Sequence, residues 1–257
     1  MMQAFVVDGV QAAVYPDSNA LSEAAAGHVL ARIAEAIQRH GSARVIFATG
    51  NSQLGFLRHL VARLDALDWS RVTAFHLDEY IGLPQTHPAS FRRYLRQNLF
   101  DHLPFAAVHV LDGEAPDAQA ECERYAALLA AAPVDVACVG IGENGHLAFN
   151  DPPADLETQA RVHVVALDEA CRQQQVDEGH FPTFDDVPTH ALSLSVPMIL
   201  SARHISCVVP EARKAQAVHD ALTGTITPAC PASALRRHAD CRLFLDAESA
   251  QLLLHKS

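Results

Sequence analysis

Short apolar runs alternate with longer amphipathic stretches along most of the 257-residue chain. Residues 19–40 carry alanine, leucine, valine and isoleucine at helical spacing, with Ser18 or Asn19 available as the cap. Residues 44–48 read as a strand that runs into Thr49-Gly50-Asn51-Ser52, and a helix follows from about 52 to 64. The alternation continues with strand 72–77, a helix opened by Pro88 and running to about 99, strand 108–111, helix 116–131 and strand 134–139. Beyond it the pattern loosens. Residues 161–167 read as a strand, 172–188 is polar and broken by Gly179, Pro182 and Pro188, and 191–196 and 204–209 read as strands. Helices over 211–222 and 232–238, a strand at 242–245 and a closing helix finish the chain.

Strands that alternate with helices imply right-handed βαβ crossovers. The expected fold is therefore α/β, a single open, doubly wound and largely parallel sheet with Rossmann-like helices on both faces. No linker, repeat or composition break divides the sequence, so residues 1–257 are expected to form one domain.

Composition narrows the function classes. Hydrophobic content of 49% allows a sizeable core, while a net charge of −11 argues against a nucleic-acid partner, which needs clustered lysine and arginine. A local pocket can still be positive on an acidic protein, so a phosphorylated small molecule stays in play. No apolar run is long enough to cross a membrane, and the N-terminus lacks the pattern of a secretory signal. The six cysteines are scattered with no CxxC pair, as expected for reduced thiols in a cytoplasmic enzyme.

Three strand ends carry candidate chemistry, at the place where open α/β sheets bind ligands. Gly140-Ile141-Gly142-Glu143-Asn144-Gly145-His146 continues into Leu147-Ala148-Phe149-Asn150-Asp151-Pro152. It sets a histidine between Asn144 and Asp151, able to move protons near neutral pH. A tight turn bearing a surface histidine is the plainer reading. Thr49, Gly50, Asn51 and Ser52 offer backbone N–H groups and hydroxyls to an anion, although Ser52 can equally cap its helix. His76-Leu77-Asp78-Glu79-Tyr80 puts two carboxylates at the mouth of the sheet, where one can serve as a general base. A His-x-Asp metal half-site is the weaker reading there, because no third ligand follows. Lys214 adds a cation after strand 204–209, or is simply a solvated lysine.

Taken together, these segments resemble the glucosamine-6-phosphate deaminase (isomerase) family. The marks occur in order: Ala48-Thr49-Gly50-Asn51-Ser52, Leu77-Asp78-Glu79-Tyr80-Ile81-Gly82-Leu83, His87-Pro88-Ala89-Ser90-Phe91, the 140–152 segment, Arg213-Lys214-Ala215, and Pro231-Ala232-Ser233-Ala234-Leu235 with His238. The resemblance implies conversion of glucosamine 6-phosphate and water to fructose 6-phosphate and ammonia, without metal or organic cofactor. By position, Asp78 would move a proton between C2 and C1. His146 would assist ring opening, with Asn144 and Asp151 orienting it. Thr49, Gly50, Asn51, Ser52 and Lys214 would hold the phosphate, and Glu79 would count among the substrate contacts. A sugar phosphate is the expected partner, with homo-oligomerisation possible and no nucleic acid or membrane.

The chain also departs from that family. Asn144 stands where many members have aspartate, and Asp151 is one methylene shorter than the more usual glutamate. An arginine that grips the phosphate aligns near Gln175, in Arg172-Gln173-Gln174-Gln175, and Gln53 replaces a frequent proline. Arg161 is the remnant of the allosteric site of some members, so no activation by N-acetylglucosamine 6-phosphate is expected. Related 6-phosphogluconolactonases share the fold but continue differently after their glycine–histidine turn, and a non-catalytic sugar-phosphate sensor is a third reading.

Overall fold

Alternate residues of the central strands face two different layers of helices, which is what a doubly wound sheet requires. In the computed structural model, which describes residues 3–177 and 179–254, eight strands form the main sheet. They are β1 (Gln3–Val7), β2 (Val10–Tyr15), β3 (Ala43–Phe47), β4 (Val72–His76), β6 (Ala107–His109), β7 (Val136–Val139), β10 (His204–Val209) and β11 (Cys241–Asp246). Three further strands, β5 (Asp78–Tyr80), β8 (Val162–Ala166) and β9 (His190–Leu194), form a small antiparallel sheet of their own.

The main sheet runs β1-β2-β11-β10-β7-β3-β4-β6, and every pair in it is parallel except the hairpin β1–β2. From β3 the chain winds outward through β4 and β6. From β7 it winds the other way through β10 and β11. The order therefore reverses between β3 and β7, which makes the carboxyl ends of these strands the natural ligand crevice.

Val45, Phe47, Val136 and Cys138 pack with Leu21, Val29 and Ile33 of α1 (Ser18–His40) and with Phe56 and Leu60 of α2 (Leu54–Val61). The opposite face puts Ile46, Ala137 and Val139 against Tyr125 and Leu129 of the helix that follows α3 (Phe91–Leu95), α4 (Ala118–Ala130). After α5 (Glu169–Asp177) and α6 (Val196–Leu200) come α7 (Ala215–Thr223), which adds Val218 and Leu222 to the same core, and a short α8 (Gln251–Leu254).

The expected doubly wound, largely parallel architecture is present, with four differences. A single sheet was expected, yet 161–167 and 191–196 contribute β8 and β9 to the smaller sheet rather than to the main one. The polar stretch 172–188 holds the end of α5, which begins upstream at Glu169. The helix expected from Pro88 instead begins at Phe91, where the Ser90 hydroxyl accepts from Arg93 N, and finishes as a π-helical turn at Arg96–Phe100. The cap of α1 is Asp17 rather than Ser18 or Asn19, its carboxylate accepting from Ala20 N at 2.8 Å.

Candidate active site

Four loops leave the carboxyl ends of the adjacent strands β10, β7, β3 and β4 and wall a single cavity. Thr49–Ser52 follows β3, Asp78 follows β4, Gly140–His146 follows β7, and Arg213 and Lys214 follow β10. Phe91 and Tyr94 close one side, and Phe149, Cys171, Gln175 and His180 close another.

The loop after β3 depends on Gly50, whose φ of 100° and ψ of 162° suit only glycine. This conformation turns the chain from β3 into a 3₁₀ turn (Asn51–Gln53) leading to α2. Ser52 does not cap the helix. Its hydroxyl accepts from Gln53 Nε2 at 3.1 Å, and the same amide reaches Val208 O at 3.3 Å, tying the loop to the end of β10. Tyr94 donates its hydroxyl to Gly50 O at 2.8 Å, so the loop is held from both sides.

Asp78 stands where the chain leaves the main sheet at Leu77 and enters β5 of the small one. Its side chain borders the cavity and is 6% exposed, with Oδ1 buried and lacking a hydrogen-bond partner among the described residues. Burial pushes the Asp78 carboxyl well above the usual range, and the neighbouring Glu79 charge pushes it further.

Glu79 goes elsewhere. It is fully buried, does not border the cavity, and accepts from Ser90 Oγ (2.9 Å), Phe91 N (3.1 Å), Arg92 N (2.8 Å) and Arg92 Nε (3.1 Å). Alternation along β5 turns it from the side Asp78 occupies. The substrate contact expected of Glu79 is therefore absent from this geometry. Its carboxylate instead anchors α3 through Arg92, which also pairs with Asp112 at 2.7 Å and Glu114 at 3.2 Å.

His146 borders the cavity, and Asp151 and Asn144 stand behind it. Nδ1, its buried nitrogen, lies 3.1 Å from Asp151 Oδ1, an ion-pair distance without hydrogen-bond alignment. Asn144 braces both residues, donating to Asp151 Oδ1 at 3.0 Å and accepting from His146 N at 3.1 Å. Burial works to raise the Asp151 carboxyl, but its contacts with His146, Asn144 and the Cys171 thiol outweigh that and hold it below the ordinary value. A carboxylate behind Nδ1 favours the tautomer that carries its proton there, leaving Nε2 as the working nitrogen. Gly142 lies flat against the imidazole, and a methyl group at that position would overlap the ring.

Lys214 is 7% exposed and borders the cavity, beside Arg213. Gln175, where the resemblance would have an arginine, also lies on the wall and accepts from the Tyr80 hydroxyl at 2.9 Å. Arg172 offers no substitute. Its guanidinium donates to Phe184 O (2.8 Å) and Val187 O (3.0 Å) and lies over the Phe184 ring. Sequence reasoning missed Tyr94, Cys171 and His180. Tyr94 lies one helical turn beyond the Ser90 cap, and Cys171 directly precedes the Arg172–Gln175 segment, so both lay close to a stretch already singled out. Among the described residues no group of three or more His, Cys, Asp or Glu side chains is placed to hold a metal ion.

A cavity at the switch point of this sheet thus brings together a buried carboxylate, a histidine–carboxylate pair and a glycine-led turn. The chain belongs to the family of glucosamine-6-phosphate isomerases and 6-phosphogluconolactonases, whose model matches residues 16–244. Within that family it is 40% identical over 229 residues to a glucosamine-6-phosphate deaminase of Bacillus cytotoxicus, covering 89% of this chain and 84% of that protein. A deaminase of Bacillus thuringiensis is 39% identical with the same coverage. Among solved structures, a monomeric glucosamine-6-phosphate deaminase superposes with a TM-score of 0.85 at 33% identity, over 95% of this chain and 99% of that one. The 6-phosphogluconolactonase of Trypanosoma brucei superposes at 0.78 with 22% identity, over 94% and 98%, a likeness of fold alone.

Proposed function

We propose that this protein is an amino-sugar phosphate deaminase and aldose–ketose isomerase, converting glucosamine 6-phosphate and water to fructose 6-phosphate and ammonia. The observation that carries the reading is the presence, on one cavity, of two proton carriers with different environments: Asp78, buried and without a partner on Oδ1, and His146, backed by Asp151. Lactone hydrolysis needs an activated water. An aldose–ketose conversion needs a strong base at carbon as well as an exchanger between oxygens, and this pair supplies both.

In the proposed sequence His146 Nε2 takes the proton of the anomeric hydroxyl and returns it to the ring oxygen, opening the sugar to its aldehyde. Asp78 then removes the proton from C2, and the electrons pass through C1=O to O1, which takes a proton from the substrate's own ammonium group to give an enolamine. Return of that proton to C1 leaves an imine at C2, which water hydrolyses to the ketone with loss of ammonia. Asn144 and Asp151 hold the imidazole. Thr49, Gly50, Asn51, Ser52 and Lys214 hold the phosphate, with the turn ahead of α2 directing N–H groups toward it. No resident cofactor has a part in these steps.

We further propose that the chain works as one domain in the cytoplasm. Among the described residues no helix is long and apolar enough to cross a membrane, and the six cysteines are free thiols, consistent with a reducing compartment. The 33%-identical relative is described as monomeric, which supports activity without self-association. A paired assay tests the reading: ammonia from glucosamine 6-phosphate against acid from 6-phosphogluconolactone. Acid release without ammonia would move the protein to the lactonase branch.

A further inference from the structure

Gln175 leaves the phosphate end of the cavity without the guanidinium that the family resemblance would put there. Among the described residues the arginine and lysine side chains on the wall are Arg213 and Lys214, which are adjacent on the loop after β10. We propose that Arg213 is the specificity-determining cation for the substrate phosphate, supplying from the β10 loop the charge that position 175 lacks. This rests on the deaminase reading for the identity of the substrate, but not for the presence of an anion site.

The placement follows from the sheet. The ends of β10, β7 and β3 lie side by side, so the loops bearing Arg213, Glu143 and Ser52 are neighbours. Gly140 at the end of β7 comes so near the β3 loop that a methyl group there would stand 3.7 Å from Ser52 Oγ. Arg213 and Lys214 therefore stand on the strand-end loop next to the one that carries Glu143, and both border the cavity that the glycine-led loop also lines.

The way Arg213 is held also points to exchange. Its Nη1 is 3.0 Å from Glu143 and its Nε 2.6 Å from Glu211, both of them carboxylates of the partly exposed rim. Rim pairs of this kind are weak, whereas a phosphate offers a guanidinium two parallel charge-assisted bonds. Glu211 carries a φ of 82°, unfavourable for a side-chain-bearing residue, and its N–H donates to the buried Asp246 carboxylate at 3.1 Å. Strain maintained by a buried anchor is a mark of a loop set for a purpose. Here it keeps Arg213 at the cavity wall, where Glu143 and Glu211 are among its partners.

The test separates anion binding from a merely structural latch. With purified protein, the affinity for inorganic phosphate and the KM and kcat for glucosamine 6-phosphate are measured for wild type, Arg213→Gln, Arg213→Lys and Glu143→Gln. Losing a charge-assisted contact should weaken phosphate binding and raise KM about ten- to hundredfold, with kcat much less changed. Arg213→Lys should fall between, and Gln175→Arg should restore binding to Arg213→Gln. Glu143→Gln, which removes a competitor of the phosphate, should lower KM. If Arg213 only latches the loops, Glu143→Gln and Arg213→Gln would weaken binding together, and the proposal is overturned. It is equally overturned if Arg213→Gln binds phosphate as wild type does. Should wild type bind phosphate but leave glucosamine 6-phosphate unchanged, the deaminase reading falls, and the phosphate affinities still decide the role of Arg213.

Discussion

Asp78 and Glu79 are consecutive in the chain and opposite in environment. Asp78 has a buried oxygen without a partner beside the cavity, whereas Glu79 is saturated by Ser90, Phe91 and Arg92. One carboxylate faces the cavity with an unpartnered oxygen, and the other is held by hydrogen bonds behind it.

That relationship sets the pH dependence. The Glu79 charge adds to burial in raising the Asp78 carboxyl, and Asp78 must be ionised to take a proton. Activity therefore falls as pH drops through the raised value. Glu79→Gln should move the acidic limb of kcat/KM to lower pH. It should also lower Tm, because Arg92 loses a buried partner while keeping Asp112 and Glu114. A lowered Tm with an unmoved limb would show Glu79 to be structural only.

The same burial has a cost to the fold. A carboxyl whose pKa is raised on folding stabilises the protein when protonated, and that contribution is lost as pH rises through the folded value. Asp78→Asn should therefore raise Tm in neutral and alkaline solution, by about 2–4 °C for each kcal/mol recovered. The gain should vanish below about pH 4, where the carboxyl is protonated even in the unfolded chain. Thermal scans across pH test this, and a destabilised Asp78→Asn at pH 8 would contradict it.

Gly142→Ala isolates the histidine. The added methyl group overlaps the His146 ring, so the imidazole must leave its place against Asp151. The expected result is a fall in kcat of about 10²-fold or more, the scale of general acid–base catalysis, with phosphate affinity and Tm much less affected. Wild-type kcat in this variant would remove His146 from the proposed role.

Regulation by N-acetylglucosamine 6-phosphate is expected to be absent. Initial rates should follow a hyperbola in glucosamine 6-phosphate and be insensitive to that ligand. A sigmoidal curve that the ligand makes hyperbolic would refute this.

Much of the site was legible because its parts are punctuated locally. Glycine turns at Gly50 and Gly140–Gly142 and the acidic pair after β4 each mark a strand end, and parallel topology alone brings those ends together. The small sheet was not legible, since β5, β8 and β9 pair over long separations and their periodicity does not say which sheet they join. The fate of Glu79 depended on Arg92, thirteen residues on, which no local pattern links to it. The hairpin β1–β2 did carry a signal that went unread: Asp8-Gly9 between apolar runs is a turn sequence, and Asp8 takes the required positive φ of 50°. Arg213 was visible in its motif, but its place over the cavity needed the adjacency of β10 and β7.

Ammonia release from glucosamine 6-phosphate by the purified protein, beside Asp78→Asn and a non-phosphorylated glucosamine control, tests the central claim most directly. The account predicts robust release by wild type, a loss of about 10²-fold or more in Asp78→Asn, and little or none from glucosamine. Undiminished release by a correctly folded Asp78→Asn, or no release by a wild-type protein that binds phosphate, would contradict it.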